Sequence, residues 1–322
     1  MSPVRAPRAV VAFALAALAL GTFPWLGLPD FYITFLYLVF HWVTLATSWN
    51  MLSGYSGYFS FGHGAFFGAG VYTAANLLTK VGVSFLWAVP ASGVVAALLG
   101  LGVGLVVFRL RRLRGELFAL LTVAVAFVLD TIVKNTPIDG GSGVFLAGVP
   151  TPWVFGNAVR MFYLTGLLIA AACVLCAYLI YHSKLGAGLF AIRDDEDAAE
   201  GVGVPTFHYK MIVLAVSSFF AGLAGSVYAV FVIYVTPQET FSIVVPLFVI
   251  LMSVLGGSRT WFGPSVGALV MVALLQLFVG PKTAAVSQIL IGLILIALIL
   301  FVPEGLVGRA LRWRRARLAS SA

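Results

Sequence analysis

Between Phe31 and Thr79 the chain carries no Asp, Glu, Lys or Arg, and this feature most restricts what it can fold into. A run of that length exceeds the roughly 20 residues one helix needs to cross an apolar bilayer core. It is not a uniform apolar helix either. The stretch "GYSGYFSFGHGAFFGAG", Gly54 to Gly70, holds six glycines and six aromatic residues. Backbone that leaves the helix at membrane depth must take its hydrogen bonds from protein or from a hydrated cavity, because lipid offers none. The run therefore predicts two crossings, 31–52 and 62–79, joined by a break.

The remainder of the chain has the same character. Of 322 residues, 61% are hydrophobic and 9% charged, against about 25% charged in soluble proteins. This excludes soluble enzymes and nucleic-acid binders and gives an all-α polytopic membrane protein with about 8–10 transmembrane helices, some broken and glycine-rich. Cutting at charges, prolines and glycine clusters yields ten spans: 9–29, 31–52, 62–79, 85–108, 117–134, 161–182, 211–234, 243–257, 264–280 and 286–303. The eighth and ninth are short and meet at "GGSRTWFGP", so half-helices or a re-entrant pair are open there. The first apolar run follows Arg5 and Arg8, and its length suits a retained span better than the 7–15-residue core of a signal peptide. All 322 residues are read as one transmembrane domain.

The net charge of +8 is a topology signal. Alternating the loops from an inside N-terminus places Arg5, Arg8, the cluster "RLRRLR" (109–114), Lys184, Arg193, Lys210, Arg259 and the arginines of a basic tail, 304–322, on the inner side. That is 15 of 19 Lys and Arg; Lys80, Lys134, Arg160 and Lys282 fall outside. By the positive-inside rule both termini are cytoplasmic. A single broken crossing over 31–79 would instead put "RLRRLR" outside.

Sites for chemistry are scarce. There is no G-x-x-x-x-G-K-[ST] loop, so the chain has no ATPase motif of its own, and His41, His63, His182 and His208 lack metal-binding spacing. No metal or cofactor is expected. Cys173 and Cys176 read as small core residues. For ion coupling only Asp130 and His63 stand out. Asp130, four residues before Lys134, reads as an interfacial i,i+4 pair, and His63 reads first as a hydrogen-bonded packing residue.

The glycines have two uses. Gly64 with Gly68, Gly100 with Gly104, and Ala221 with Gly225 have the small-x-x-x-small spacing of close helix packing. Gly54, Gly57, Gly62, Gly64 and Gly70 do not share a helical face, so a break beside a translocation path is the second reading. Gly54, Tyr55, Gly57, Phe61, Gly62, His63 and Gly64 are the path candidates. A weaker echo, Phe262-Gly263 against Phe61-Gly62, fits a fold of two related halves.

Two loops are long enough to hold structure. The outer one, 135–160, is rich in turn residues. The inner one, 183–210, holds five of the eleven acidic residues, and "FAIRDDEDAAEGVGVP" within it predicts a short helix capped by Asp194 or Asp195 and stopped by Gly201, Gly203 and Pro205. Ala198, Ala199 and Gly203 give it a small-residue docking face.

At these residues the sequence resembles the inner-membrane permeases of branched-chain amino acid ABC importers, the LivM/LivH type and closer to LivM. The matching segments are "NMLSGYSGYFSFGHGAFFGAGVYTAA", "TVAVAFVLDTIVKNTPIDGGSGV", "KLGAGLFAIRDDEDAAEGVGVPTFHYKMIVLAVSSFFAGLAGSVYA" and "MSVLGGSRTWFGPSVGALV". The resemblance implies an ABC importer permease fold in a bacterial inner membrane. It also implies two cytoplasmic ATPase subunits, a second homologous permease and an extracytoplasmic solute-binding protein, with leucine, isoleucine, valine or related small solutes as cargo. It makes "AIRDDEDAAEGVG" the ATPase-coupling segment, with Arg193, Asp194, Asp195, Glu196, Ala198, Ala199 and Gly203 as its residues, and Gly140, Gly141, Ser142 and Gly143 as an outer-loop pattern. The alternative from another class is a self-sufficient ion-coupled transporter or channel.

Overall fold

The computed structural model describes residues 5–109, 116–139, 141–150, 152 and 156–278, and near the C-terminus 292, 305–309 and 312. The expected tenth span apart from Gly292, most of the basic tail, Gly140 and positions 110–114 of the arginine cluster lie outside the described residues.

Among the described residues as far as Phe278, twelve α-helices follow in order: α1 (Arg5–Gly21), α2 (Asp30–Trp49), α3 (His63–Asn76), α4 (Phe85–Val107), α5 (Glu116–Lys134), α6 (Ala158–Tyr181), α7 (Lys184–Asp194), α8 (Glu196–Gly201), α9 (Thr206–Val232), α10 (Pro237–Thr240), α11 (Val244–Gly256) and α12 (Gly263–Phe278). Among the described residues, six helical stretches are long and apolar enough to cross a membrane: Asp30–Gly54, Phe85–Val107, Leu117–Lys134, Ala158–Tyr181, Thr206–Val232 and Pro237–Gly256. Val10–Trp25 and Gly263–Leu277 are shorter apolar helices. Two helices run on into π turns, α2 at Asn50–Gly54 and α3 at Leu77–Val81.

Local chemistry sets the boundaries. Asp30 occupies the first turn of α2, where the helix dipole favours a carboxylate. The Asn157 side chain caps α6 by accepting from the Arg160 amide at 2.8 Å. Helix α9 begins five residues before the expected 211, because Lys210 is buried beside a carboxylate and need not reach water.

The bundle is organised around α9, which packs on α2, α3 and α4. Small residues permit this. A Cβ at Gly222 would lie 2.7 Å from the Ser92 carbonyl oxygen on α4, and one at Gly225 would lie 3.0 Å from the Val71 amide on α3. Gly104 would place a Cβ 2.7 Å from Met211 Sδ. The glycines of the expected small-residue pairs thus admit different neighbours: Gly100 and Gly104 of α4 receive Ser218 and Met211 of α9, whereas Gly225 of α9 receives Phe67 and Val71 of α3. Antiparallel α11 and α12 close in the same way, with a Gly256 Cβ falling 2.8 Å from the Gly267 amide. Cys173 is buried against Thr44, in keeping with a core role.

The bundle has two distinct ends. At one, Gly54, Tyr58, Phe108, Phe118, Arg193, Lys210 and Thr260 come together. At the other, Tyr72 donates to Asp139 Oδ1 (2.7 Å), Lys80 donates to the Ile138 carbonyl (3.0 Å), and a two-residue ribbon pairs β1 (Val144–Phe145) with β2 (Tyr234–Val235). Among the described residues, loops expected on one side of a membrane thus gather at one end. The ribbon is the one departure from an all-helical reading among the described residues: the 135–160 loop ties itself to the chain after α9 by strand pairing.

Candidate functional site: the glycine-rich break and the helical corner beside it

The break lies between α2 and α3, at the end of the bundle that also holds 183–210. Here side chains replace the hydrogen bonds that helix would have supplied. The Trp49 indole donates to the Ser60 carbonyl (2.7 Å), the Ser60 amide donates to Ser53 Oγ (3.2 Å), and the Phe61 amide donates to Thr122 Oγ1 (3.0 Å). Gly57 takes φ +76°, a left-handed conformation that glycine adopts without strain. Helix α3 then starts at His63, with the Ala65 amide on the Gly62 carbonyl at 2.9 Å.

The path candidates are tightly packed. A Cβ at Gly62 would stand 2.9 Å from Thr122 Cβ, and one at Gly64 would stand 3.3 Å from Pro246 Cδ. Tyr55 is fully buried and its hydroxyl reaches the Ala177 carbonyl (3.4 Å). His63 is buried as well. Ser48 gives its hydroxyl proton to the Leu45 carbonyl (2.9 Å), which leaves its oxygen to accept from His63 Nε2 at 2.8 Å. That is the packing role expected of this histidine. Phe61 and Gly64 also line a shallow cleft with Val123, Phe127, Ser242 and Pro246.

Asp130 pairs with Lys134 at 2.6 Å, as its spacing predicts. A cavity of about 360 Å³ near the Asp139 end is lined by Ala69, Tyr72, Asn76, Leu99, Leu129 and Phe241 among others, with no charged residue among the described residues of its wall. Among the described residues no three His, Cys, Asp or Glu side chains converge as metal ligands.

The inner loop is more structured than a single short helix. Residues 184–194 form α7, turned around glycines that serve as contact points: a Cβ at Gly188 would lie 2.6 Å from Tyr209 Cδ2. Between the two expected caps, Asp195 is the one used, accepting from the Ala198 amide at 3.0 Å and so starting α8. Gly203, at φ +88°, ends α8 by donating to the Glu200 carbonyl (3.0 Å).

The residues expected of a coupling segment divide between two faces. Asp194, Asp195 and Ala198 are exposed, and Val202 stands 83% exposed at the tip. Ala199 is buried under α8. Arg193 turns inward and donates to the Gly54 carbonyl. Its burial above all, then the charge of Arg259, draws its pKa below the ordinary value, while Asp194 acts in the opposite sense. Glu196 accepts from Lys210 Nζ at 2.5 Å and from the Tyr58 hydroxyl. Lys210 also lies over the Tyr58 and Phe108 rings, 4.7 and 5.0 Å from their centroids.

Sequence reasoning passed over Asn50, Tyr58, Lys210, Ser253 and Thr260. Asn50 Oδ1 accepts from Ser253 Oγ (3.0 Å) and its Nδ2 donates to the Thr260 carbonyl (3.2 Å). The one available signal was Lys210, a cation at the start of an apolar run with an acidic cluster shortly before it.

Comparison with known proteins gives the family of the chain. The family described as branched-chain amino acid transport system / permease component matches residues 31–299. The high-affinity branched-chain amino acid transport system permease protein LivM of Escherichia coli (strain K12) is 26% identical over 293 residues, covering 83% of this chain and 67% of LivM. The corresponding LivH protein of Salmonella typhimurium is 22% identical over 302 residues, covering 86% of this chain and 97% of LivH. No solved structure matches. The chain belongs to the branched-chain amino acid transport permease family, as a multi-pass membrane permease component of an ABC transport system without catalytic activity of its own.

Proposed function

We propose that this permease forms half of a translocation path with a second homologous permease, and that the α7–α8 corner is its docking element for a cytoplasmic ATPase subunit. The observation that carries the reading is the two-faced corner. Asp195 caps α8 so that Ala198 and Val202 point away from the bundle, while Ala199 and Leu189 are buried beneath. An exposed valine flanked by small and acidic residues suits a partner groove that is apolar within and basic at its rim. The Gly54 end is then cytoplasmic, and the ribbon end faces an extracytoplasmic solute-binding protein. The path runs along the break, where main-chain groups and aromatic rings meet a small zwitterion without a fixed charge to retain it. The cargo is a branched-chain or related small amino acid, selected largely by the binding protein.

Gly203 makes a poor probe of docking, because any side chain at φ +88° strains the end of α8. Ala198→Trp and Val202→Asp leave the buried side of α8 untouched. Both are expected to lower ATPase co-purification and binding-protein-stimulated hydrolysis at least about tenfold, the effect of losing a central interface contact. Normal stimulation in both variants makes the corner a mere connector. If the binding protein that stimulates the complex carries urea or a sugar, the cargo reading fails and the architecture stands.

A further inference from the structure

Arg193 and Glu196 point into the chain's own bundle, on either side of the Asp195 cap. Arg193, in the last turn of α7, donates to the carbonyl of Gly54, the final residue of the π turn that ends α2. Gly57 makes room for it: a Cβ there would lie 3.0 Å from Arg193 Cγ. Glu196, the first residue of α8, has a side chain 9% exposed and holds the Tyr58 hydroxyl and Lys210. The two attachments land four residues apart on the segment between α2 and α3. From the other side, Asn50 grips the same π turn through Ser253 of α11 and Thr260 of the α11–α12 turn.

A loop that only needed anchoring could rely on apolar packing, and Ala199, Leu189 and Ile192 already supply it. Charge-assisted hydrogen bonds add something packing lacks, namely fixed length and direction. π turns interrupt the regular backbone ladder and are frequent at functional sites. The attachment point is thus a place where α2 is already interrupted. We propose that Arg193 and Glu196 are positioning residues that clamp the α7–α8 corner to the Asn50–Gly54 π turn, so that displacement of the corner moves the glycine-rich break and, through Asn50, the α11–α12 turn. This deepens the reading of the corner as ATPase-docking element and rests on it.

The test uses the complete transporter in proteoliposomes, with radiolabelled leucine uptake and ATP hydrolysis measured together and ATPase co-purification scored beside them. Tyr58→Phe removes one hydroxyl and leaves the Glu196–Lys210 pair, so it cuts the link and spares the loop. Arg193→Ala cuts the other link, and Arg193→Lys restores a donor. Uptake per ATP hydrolysed is expected to fall about five- to tenfold in Tyr58→Phe and Arg193→Ala, the lower range of site-to-site coupling. ATPase co-purification is retained and Arg193→Lys recovers part of the ratio. Tyr58→Phe combined with Glu196→Gln is expected to be no worse than the weaker single variant, as for two ends of one contact. An unchanged ratio in both Tyr58→Phe and Arg193→Ala overturns the clamp. So does loss of ATPase binding with the ratio intact, since it makes these residues partner contacts. Wild-type uptake that proceeds without ATP overturns the docking reading together with the clamp, whereas ATP-dependent wild type with unaffected variants overturns the clamp alone.

Discussion

Glycines of the break are required for different reasons, which sets different expectations for their replacement. At Gly54 a Cβ would overlap the Asn50 side chain and approach the Ser258 carbonyl to 2.7 Å, so even alanine must displace the hub of the π turn. At Gly62 the obstruction is Thr122, whose Cβ and carbonyl oxygen lie 2.9 and 3.1 Å from where a methyl group would sit. Gly54→Ala is expected to abolish uptake in assembled complex, and Gly62→Val to do the same where Gly62→Ala leaves a reduced rate, as measured by leucine uptake normalised to complex recovered. Wild-type rates in Gly54→Ala would remove the π turn from the mechanism. His63→Ala belongs to another class. It deletes a buried bond between α2 and α3 and leaves a void, a cost of about 1–3 kcal/mol in stability, seen as a lower melting temperature with uptake per assembled complex preserved. Complete loss of uptake in a stable His63→Ala complex would give the ring a direct role. The break was legible from the glycine count, but its repair was not, because Trp49, Ser53 and Thr122 meet it only through the fold.

At the scale of elements, glycine spacing marked the helices that pack closely but left one helix of the inner loop unmarked. Gly100, Gly104, Ala221 and Gly225 read correctly as packing residues. The glycines of "KLGAGLFAIRD" received no reading from sequence, yet they let α7 lie against Tyr181 and Tyr209. A glycine that relieves a turn and one that admits a neighbour are the same letter, and only the neighbour distinguishes them. Gly222 sits where α3, α4 and α9 cross, with Gly70, Ala96 and Ser92 against it. Gly222→Val is expected to cost about 1–3 kcal/mol by overpacking, read as reduced melting temperature and yield of the complex. A stable, fully assembled Gly222→Val protein would show that the crossing has slack which this close packing denies.

For the whole molecule the decisive property is the separation of the two ends. Fifteen of nineteen basic residues fall on one side of an alternating count, and among the described residues the break, the 183–210 loop and the α11–α12 turn, all assigned to that side, meet in space at the Gly54 end. Single cysteines placed in a background lacking Cys173 and Cys176 test the orientation. A cysteine at Val202 is expected to react with an impermeant thiol reagent only from the cytoplasmic side, and one at Phe145, also exposed, only from the opposite side. The reverse pattern would invert the orientation and move the docking corner away from any cytoplasmic ATPase.

The sequence alone determined that the chain spans a membrane many times, which loops share a side, and where helix gives way to glycine-rich backbone. Those properties follow from hydropathy, charge and local conformational freedom, each carried by neighbouring residues. Tertiary structure decided which of the marked residues face a partner and which face the chain itself. Arg193 and Glu196 lie in the most exposed-looking segment of the sequence, yet they close on Gly54 and Tyr58, about 140 residues earlier. Ala199 looks like docking surface and is core. A charge in a polar loop carries no local sign of a buried acceptor, because that acceptor is a main-chain carbonyl in the π turn that ends another helix, and only the common packing of α2 with its π turn, α7 and α8 on α9 brings the two together.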